Sequence, residues 1–214
     1  VSIFSQCIMG RSLTIPISAR STSMPTKPKI LKREIVAESR FFGVEQLHLQ
    51  FSNGVERVYE RLRSPRIPAV MVVALKDEDT VLLIREYAGG LDNYQLSLPK
   101  GTLEHAESLF DGACRELKEE VGYGARRFHE LKPLSLSPGY MGHVIHVVLA
   151  EDLYPERLPG DEPEPIEVVE HSLEDMDSLV RAADFTEARA LAALYMVRDL
   201  VRQRRAERQA QVEA

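Results

Sequence analysis

The chain has 214 residues, 44% of them hydrophobic and 28% charged, with a formal net charge of -6 at pH 7; this is the make-up of a soluble globular protein with room for one sizeable core. Its longest apolar runs, 68–75 and 143–150, are strand-sized and fall short of the roughly 20 residues a spanning helix needs, so no membrane partner is expected. The acidic balance argues against binding by neutralisation of many phosphates, so no nucleic-acid partner is expected either, and two cysteines, Cys7 and Cys114, suggest no disulfide framework and fit a reducing cytoplasmic setting.

Residues 1–33 contain no Asp or Glu and are rich in Ser, Thr, Lys and Arg. Residues 1–28 are therefore expected to be a disordered or non-native extension, Met24 resembling a natural start, with an organellar transit segment as the alternative. The next stretch, 29–64, reads as two or three antiparallel strands with a hairpin at Asn53-Gly54, the strongest short hairpin signal. A second unit is expected over 65–208. In it IPAVMVVAL and TVLLIREY are β-rich runs joined by the polar KDED, and YQLSLPKG is a short strand. FHELKPLSL, HVIHVVLAEDL and EVVEHSL are further strands after an acidic segment. The spacing of Leu191, Leu194, Tyr195, Val197 and Val201 predicts a helix over 185–205. A mixed sheet with one helix in mid-chain and another at the end implies an α+β or three-layer domain.

The acidic segment, GTLEHAESLFDGACRELKEEVGY at 101–123, predicts a helix over 107–122. At 100° per residue Phe110, Cys114, Leu117 and Val121 fall in one arc facing the sheet. Glu116 and Glu120 then stack at i,i+4, Glu119 extends the acidic flank, Arg115 lies over Glu119, and Gly122 ends the helix. Stacked like charges cost a few tenths of a kcal/mol per pair in an isolated helix, which suggests a compensating cation. A charge-rich face is ordinarily just a solvated surface, but the fixed spacing of Gly101, Glu107, Arg115, Glu116, Leu117, Glu119, Glu120 and Gly122 would coincide by chance on the order of once in 10⁸ starts.

That spacing resembles the Nudix box, with Tyr123 where an aliphatic residue is more usual. The resemblance implies a Nudix fold, a mixed β-sheet sandwiched between helices, here with an N-terminal antiparallel sheet, and hydrolysis of a nucleoside diphosphate linked to another moiety. It implies Mg²⁺, with Mn²⁺ as an alternative, held by Glu116 and Glu120 with Glu119 assisting catalysis and the Lys100 carbonyl joining them; an all-oxygen set suits such hard cations. Gly101, Glu107 and Arg115 are implied to orient the loop and helix, a surface ion pair being the plainer reading of Arg115.

The flanks refine the resemblance. FSNGVERVYER, LLIREYAGG, LPKG, ELKEEVGYGA and DLYPERLPGDEPEPIEV are similar to the ADP-compound-hydrolysing members of the ADP-ribose pyrophosphatase branch, over about residues 27–202. Small ADP-containing substrates are thereby implied: ADP-ribose, NADH and diadenosine polyphosphates, with release of AMP. Arg85, Glu86 and Pro138 are implied to lie near the substrate, although Arg85 also suits a strand end and the Pro138-Gly139 pair is turn chemistry in its own right. Within the proline-stiffened loop 160–168, Glu162 is implied as general base and Glu164 as a further metal ligand. A homodimer built on the N-terminal strands is implied as well. The competing functions are a non-catalytic ADP-ribose sensor, and an RNA pyrophosphohydrolase or decapping enzyme; the acidic chain lacks the basic, aromatic stripe the latter wants.

Overall fold

The computed structural model describes residues 25–63 and 67–213. Residues 1–24 of the expected extension and the expected boundary between 64 and 65 lie outside the described residues. Three strands, β1 (Lys29–Glu38), β2 (Gly43–Gln50) and β3 (Glu56–Leu62), form an antiparallel sheet in that order. The β2–β3 turn is the Asn53-Gly54 hairpin: Gly54 adopts φ 80° and Asn53 Oδ1 accepts from the Val55 N–H at 3.1 Å. Glycine adopts that backbone conformation without steric cost.

A second, seven-stranded sheet contains β4 (Ala69–Leu75), β5 (Thr80–Ala88), β6 (Asn93–Ser97), β7 (Lys100–Thr102), β8 (Tyr123–Ser135), β9 (Val144–Pro155) and β10 (Glu167–Ser172). Its main path is β10-β5-β4-β9-β8, with β4 and β9 parallel and the other pairs antiparallel. Every residue of β4 is buried, which is why its sequence is a continuous apolar run rather than an alternation. Strand alternation divides those residues between two cores. Met71, Val73 and Leu75 pack with the face covered by α2 (Met176–Arg181) and α3 (Ala188–Val212), whereas Val70, Val72 and Ala74 pack with the face covered by α1 (Leu109–Glu116). The result is a sheet between helical layers, an α+β fold as expected from the order of elements.

β4 and β5 stay paired only at Ala74–Leu82 and Leu75–Val81. Beyond that they diverge, and the opened edges are satisfied separately: β6 pairs with β5 from Ile84 to Ala88, and β7 pairs with β4 from Ala69 to Met71. This split in the sheet positions the candidate site.

The mid-chain helix begins two residues later than its spacing predicts. Ser108 is the N-cap, its hydroxyl accepting from the Asp111 N–H at 3.2 Å, as serine does at this position. Phe110 meets the sheet at its margin, stacking on Phe128 of β8 at 6.0 Å while remaining 42% exposed, and Ala113, Leu117 and Val121 supply the buried arc. The last five residues, Leu117–Val121, wind as a π-helical turn closed by a hydrogen bond from the Gly122 N–H to the Leu117 carbonyl at 3.1 Å. Gly122 ends it at φ 83°. The short α2 was not anticipated, and α3 runs seven residues past its expected end. The N-terminal sheet docks through the β8–β9 connection, the Leu62 N–H donating to the Tyr140 carbonyl at 2.8 Å.

Candidate active site

The sheet split, the mid-chain helix and the loop between β9 and β10 enclose a cleft of about 800 Å³ lined in part by Lys100, Glu116, Glu119, Glu120 and Glu162. Local sequence explains how it is built. Lys100 and Gly101 open β7 directly after Pro99, which cannot donate to a ladder; the Lys100 N–H instead donates to Glu120 Oε2 at 3.0 Å. Gly101 faces Glu116 so closely that a Cβ there would meet the Glu116 carboxylate at 2.1–2.4 Å. The glycine of this motif is therefore the space the carboxylate occupies.

Arg115 organises the acidic flank. Its Nε and Nη2 donate to the two oxygens of Glu107 at 3.0 and 3.1 Å, Nη2 also donates to the Thr102 carbonyl at 2.9 Å, and Nη1 reaches Glu119 and Glu116, each at 2.9 Å. The hydrogen bonds from this guanidinium hold the Glu107 carboxyl below its ordinary range, and the surrounding carboxylates raise Arg115 itself. Glu107 further accepts from the Glu104 N–H at 2.9 Å, so the loop before α1 and the helix are joined through one planar fork.

Glu116 and Glu120 are buried, 8% and 6% exposed. Burial pushes both carboxyls up, Glu120 to about 8, since desolvation outweighs its contact with Lys100. A buried carboxylate kept in a polar cleft is costly without a cation. Glu120, Glu86 on β5 and Glu162 on the β9–β10 loop place one oxygen each within 4.8 Å of one another. This oxygen-only donor set fits a divalent magnesium-like cation rather than zinc or copper.

The other expected site residues are distributed around this cluster. Glu162 is pushed up by partial desolvation and then by the Glu86 and Asp161 carboxylates. Glu164 accepts from the Tyr94 hydroxyl and lies outside the Glu86–Glu120–Glu162 group. Glu86 is ion-paired with the Lys100 ammonium. Arg85 pairs with Asp184 and, through Nε at 2.9 Å, with Glu167; with Glu86, Tyr87 and Tyr94 it lines a smaller cavity of about 350 Å³ beside the main cleft. Pro138 sits in the β8–β9 connection and lines neither cavity.

Three features were not anticipated. Glu86 belongs to the carboxylate group, Tyr94 holds the acidic loop, and Arg157 braces that loop by donating to the Glu119 carbonyl at 3.3 Å. Glu86 was traceable to the β-rich run that carries it, but its company depends on the divergence of β4 and β5.

Comparison with known proteins bears directly on this geometry. The model of the NUDIX domain matches residues 65–194, and that of the NudE-type Nudix hydrolase N-terminal domain matches residues 28–61. The chain belongs to the Nudix hydrolase family. Members of the family need divalent metal ions, in keeping with the donor set. Among its relatives, the ADP compounds hydrolase NudE of Escherichia coli is 50% identical over 173 residues, covering 81% of this chain and 92% of that protein. The ADP-ribose pyrophosphatase of Bacillus subtilis is 31% identical over 173 residues, covering 78% and 92%. A crystal structure of an ADP compounds hydrolase superposes with a TM-score of 0.79 at 48% identity, covering 86% of this chain and 98% of that one. This Nudix chain thus spans nearly the whole length of these relatives.

Proposed function

We propose that this protein hydrolyses the phosphoric anhydride bond of ADP-containing compounds, ADP-ribose, NADH and diadenosine polyphosphates among them, and releases AMP. The observation that carries the reading is the convergence of Glu86, Glu120 and Glu162 at the sheet split, beside a Glu116 held by Arg115. Identity to relatives named for ADP compounds and ADP-ribose supports the substrate class.

In this reading Glu116 and Glu120 would hold Mg²⁺, or Mn²⁺ in its place, with Glu86 facing the same ion and the Lys100 carbonyl and Glu164 as further ligands. Bound there, the metal would supply neutralisation of the pyrophosphate charge and a lowered pKa for the attacking water. Glu162 receives the proton of that water; partial desolvation raises its carboxyl and makes it a stronger base than a free carboxylate. Glu119, fixed by Arg115, assists with the water's orientation. Arg85 and Glu86 border the leaving portion of the substrate, and Pro138 on the β8–β9 connection takes no part in lining either cavity. Chemistry of this kind is mostly positioning and electrostatics, which agrees with the number of contacts devoted to holding carboxylates in place.

A homodimer is part of the same proposal. The N-terminal sheet and its β1–β2 turn expose Ile35, Val36, Phe41, Phe42 and Val58, with Phe41 and Phe42 at 75% and 63%, an apolar surface of the kind that protein interfaces cover. Replacing both phenylalanines with serine is expected to halve the mass measured by light scattering. A reducing cytoplasm suits the free Cys114, and among the described residues no helix is long and apolar enough to cross a membrane.

The deciding experiment incubates the protein with Mg²⁺ and, separately, ADP-ribose, NADH, diadenosine triphosphate or capped RNA, and quantifies AMP by chromatography. AMP from the small compounds supports the reading, and binding without AMP release replaces it with a sensor. Glu120→Gln should abolish turnover with the fold retained, and Glu162→Gln should lower kcat more than it raises KM.

A further inference from the structure

One cation faces the carboxylate group. Lys100 Nζ pairs with Glu86, and among the described residues it is the only basic group that does so. Arg115 is committed to Glu107, Glu116 and Glu119, and Arg85 to Glu167 and Asp184. The Lys100–Glu86 contact crosses the sheet split from β7 to β5, and both side chains are largely buried, at 23% and 22% exposure. The same residue's N–H anchors it to Glu120 at 3.0 Å. Lys100 thus touches two of the three carboxylates that converge within 4.8 Å, with its backbone fixed and its flexible stem free to pivot.

From this placement we infer that the Lys100 ammonium is the resident counter-ion of the site: a divalent cation must displace it from Glu86, and the freed ammonium then pairs with the pyrophosphate of the substrate. The physical basis is that a carboxylate group this compact repels itself unless compensated, and that an ammonium and a divalent cation compete for the same oxygens while repelling each other. Lysine suits the role better than arginine would, being a compact point charge on a long stem rather than a planar fork tied to one partner. Its displaced position is the cleft that Lys100 already lines together with Glu116, Glu120 and Glu162. Lys100 is accordingly a positioning residue for metal and substrate in turn, with opposite effects on the two.

This inference rests on Glu120 as a carboxylate of the metal site, and the test separates the two. Mn²⁺ binding to the nucleotide-free protein is titrated by electron paramagnetic resonance for the unaltered chain and for Lys100→Met, Lys100→Gln, Lys100→Arg and Glu120→Gln, with thermal melts to establish folding. Lys100→Met and Lys100→Gln are expected to bind Mn²⁺ about tenfold more tightly, equivalent to about 1.4 kcal/mol, while KM for ADP-ribose rises about tenfold. Lys100→Arg, which keeps the charge, should restore the original Mn²⁺ affinity. Unchanged or weaker Mn²⁺ binding in Lys100→Met, with binding lost in Glu120→Gln, would overturn the inference and leave the metal assignment standing. Full Mn²⁺ binding in Glu120→Gln would reject that assignment and the inference with it.

Discussion

Replacing Gly101 with alanine should cripple the site while sparing the fold, and the size of the effect follows from the contacts. The new methyl would lie 2.1 Å from Glu116 Oε1, 2.2 Å from Cδ and 2.4 Å from Oε2. Ordinary van der Waals separation is about 3.5 Å, so the carboxylate must retreat by roughly 1.3 Å. No backbone atom is among the three nearest neighbours of the added carbon, and the movement is confined to the end of one side chain. That retreat breaks the 2.9 Å contact with Arg115 Nη1. A charge-assisted hydrogen bond is worth about 1.5–3 kcal/mol, which for a chain of this size lowers Tm by roughly 3–12 °C. Catalysis should suffer far more, since a misplacement of about 1 Å in such a site costs about 10²-fold. The assay is AMP release from ADP-ribose at saturating Mg²⁺, with circular dichroism and a thermal melt on the same preparation. A variant with unaltered kcat/KM would refute the claim that Gly101 is present to make room for the Glu116 carboxylate.

Further expectations follow from the charges and the core. Because burial raises Glu120 from 4.5 in the unfolded chain to about 8, the metal-free folded state holds the extra proton between those values. Its stability should be greatest below about pH 4.5 as far as this group is concerned, and fall as pH rises towards 8. Melts in a chelator at pH 5.5 and 8.5 should show that fall, and saturating Mg²⁺ should shrink it. Arg115→Lys keeps the charge but loses the fork that spans Glu107, Glu116 and Glu119, so kcat should drop at least tenfold with little change in KM; wild-type turnover would argue that the fork is ornamental. Leu194→Ala, at a fully buried position of α3 on the opposite face from the box helix, should cost about 2–5 kcal/mol in denaturant unfolding without altering kcat per folded molecule.

Much of this architecture is legible in local sequence because local rules produce it. Asn53-Gly54 specifies its hairpin through backbone conformation, and the apolar run of β4 announces burial on both faces. The box residues announce themselves by spacing, and the Arg115–Glu119 contact follows from helical geometry alone. The rest depends on relations between distant segments. An α-turn and a π-turn use the same residue types, so Leu117–Val121 carries no visible sign of its wider winding, and Phe110 stays partly exposed because Ala113 fills the buried part of the arc. The pairing of Glu86 with Lys100 requires β4 and β5 to part after two paired positions, a feature of the sheet as a whole. The bond between Tyr94 and Glu164 joins residues 70 positions apart, and no pattern within either segment implies it.

The alternation along β4 has a consequence for how this protein can vary. Val70, Val72 and Ala74 share a core with Ala113, Leu117 and Val121, and Leu117 directly follows Glu116 in the chain as Val121 follows Glu120. Met71, Val73 and Leu75 share theirs with Leu194 and Val197. Neighbouring positions on one strand therefore belong to different selective regimes. A change of volume at an even-numbered residue is passed to the turn that aims the carboxylates, and one at an odd-numbered residue is absorbed by helices remote from it. Drift in the relatives of this chain should be freer at 71, 73 and 75 than at 70, 72 and 74, even though all six are buried.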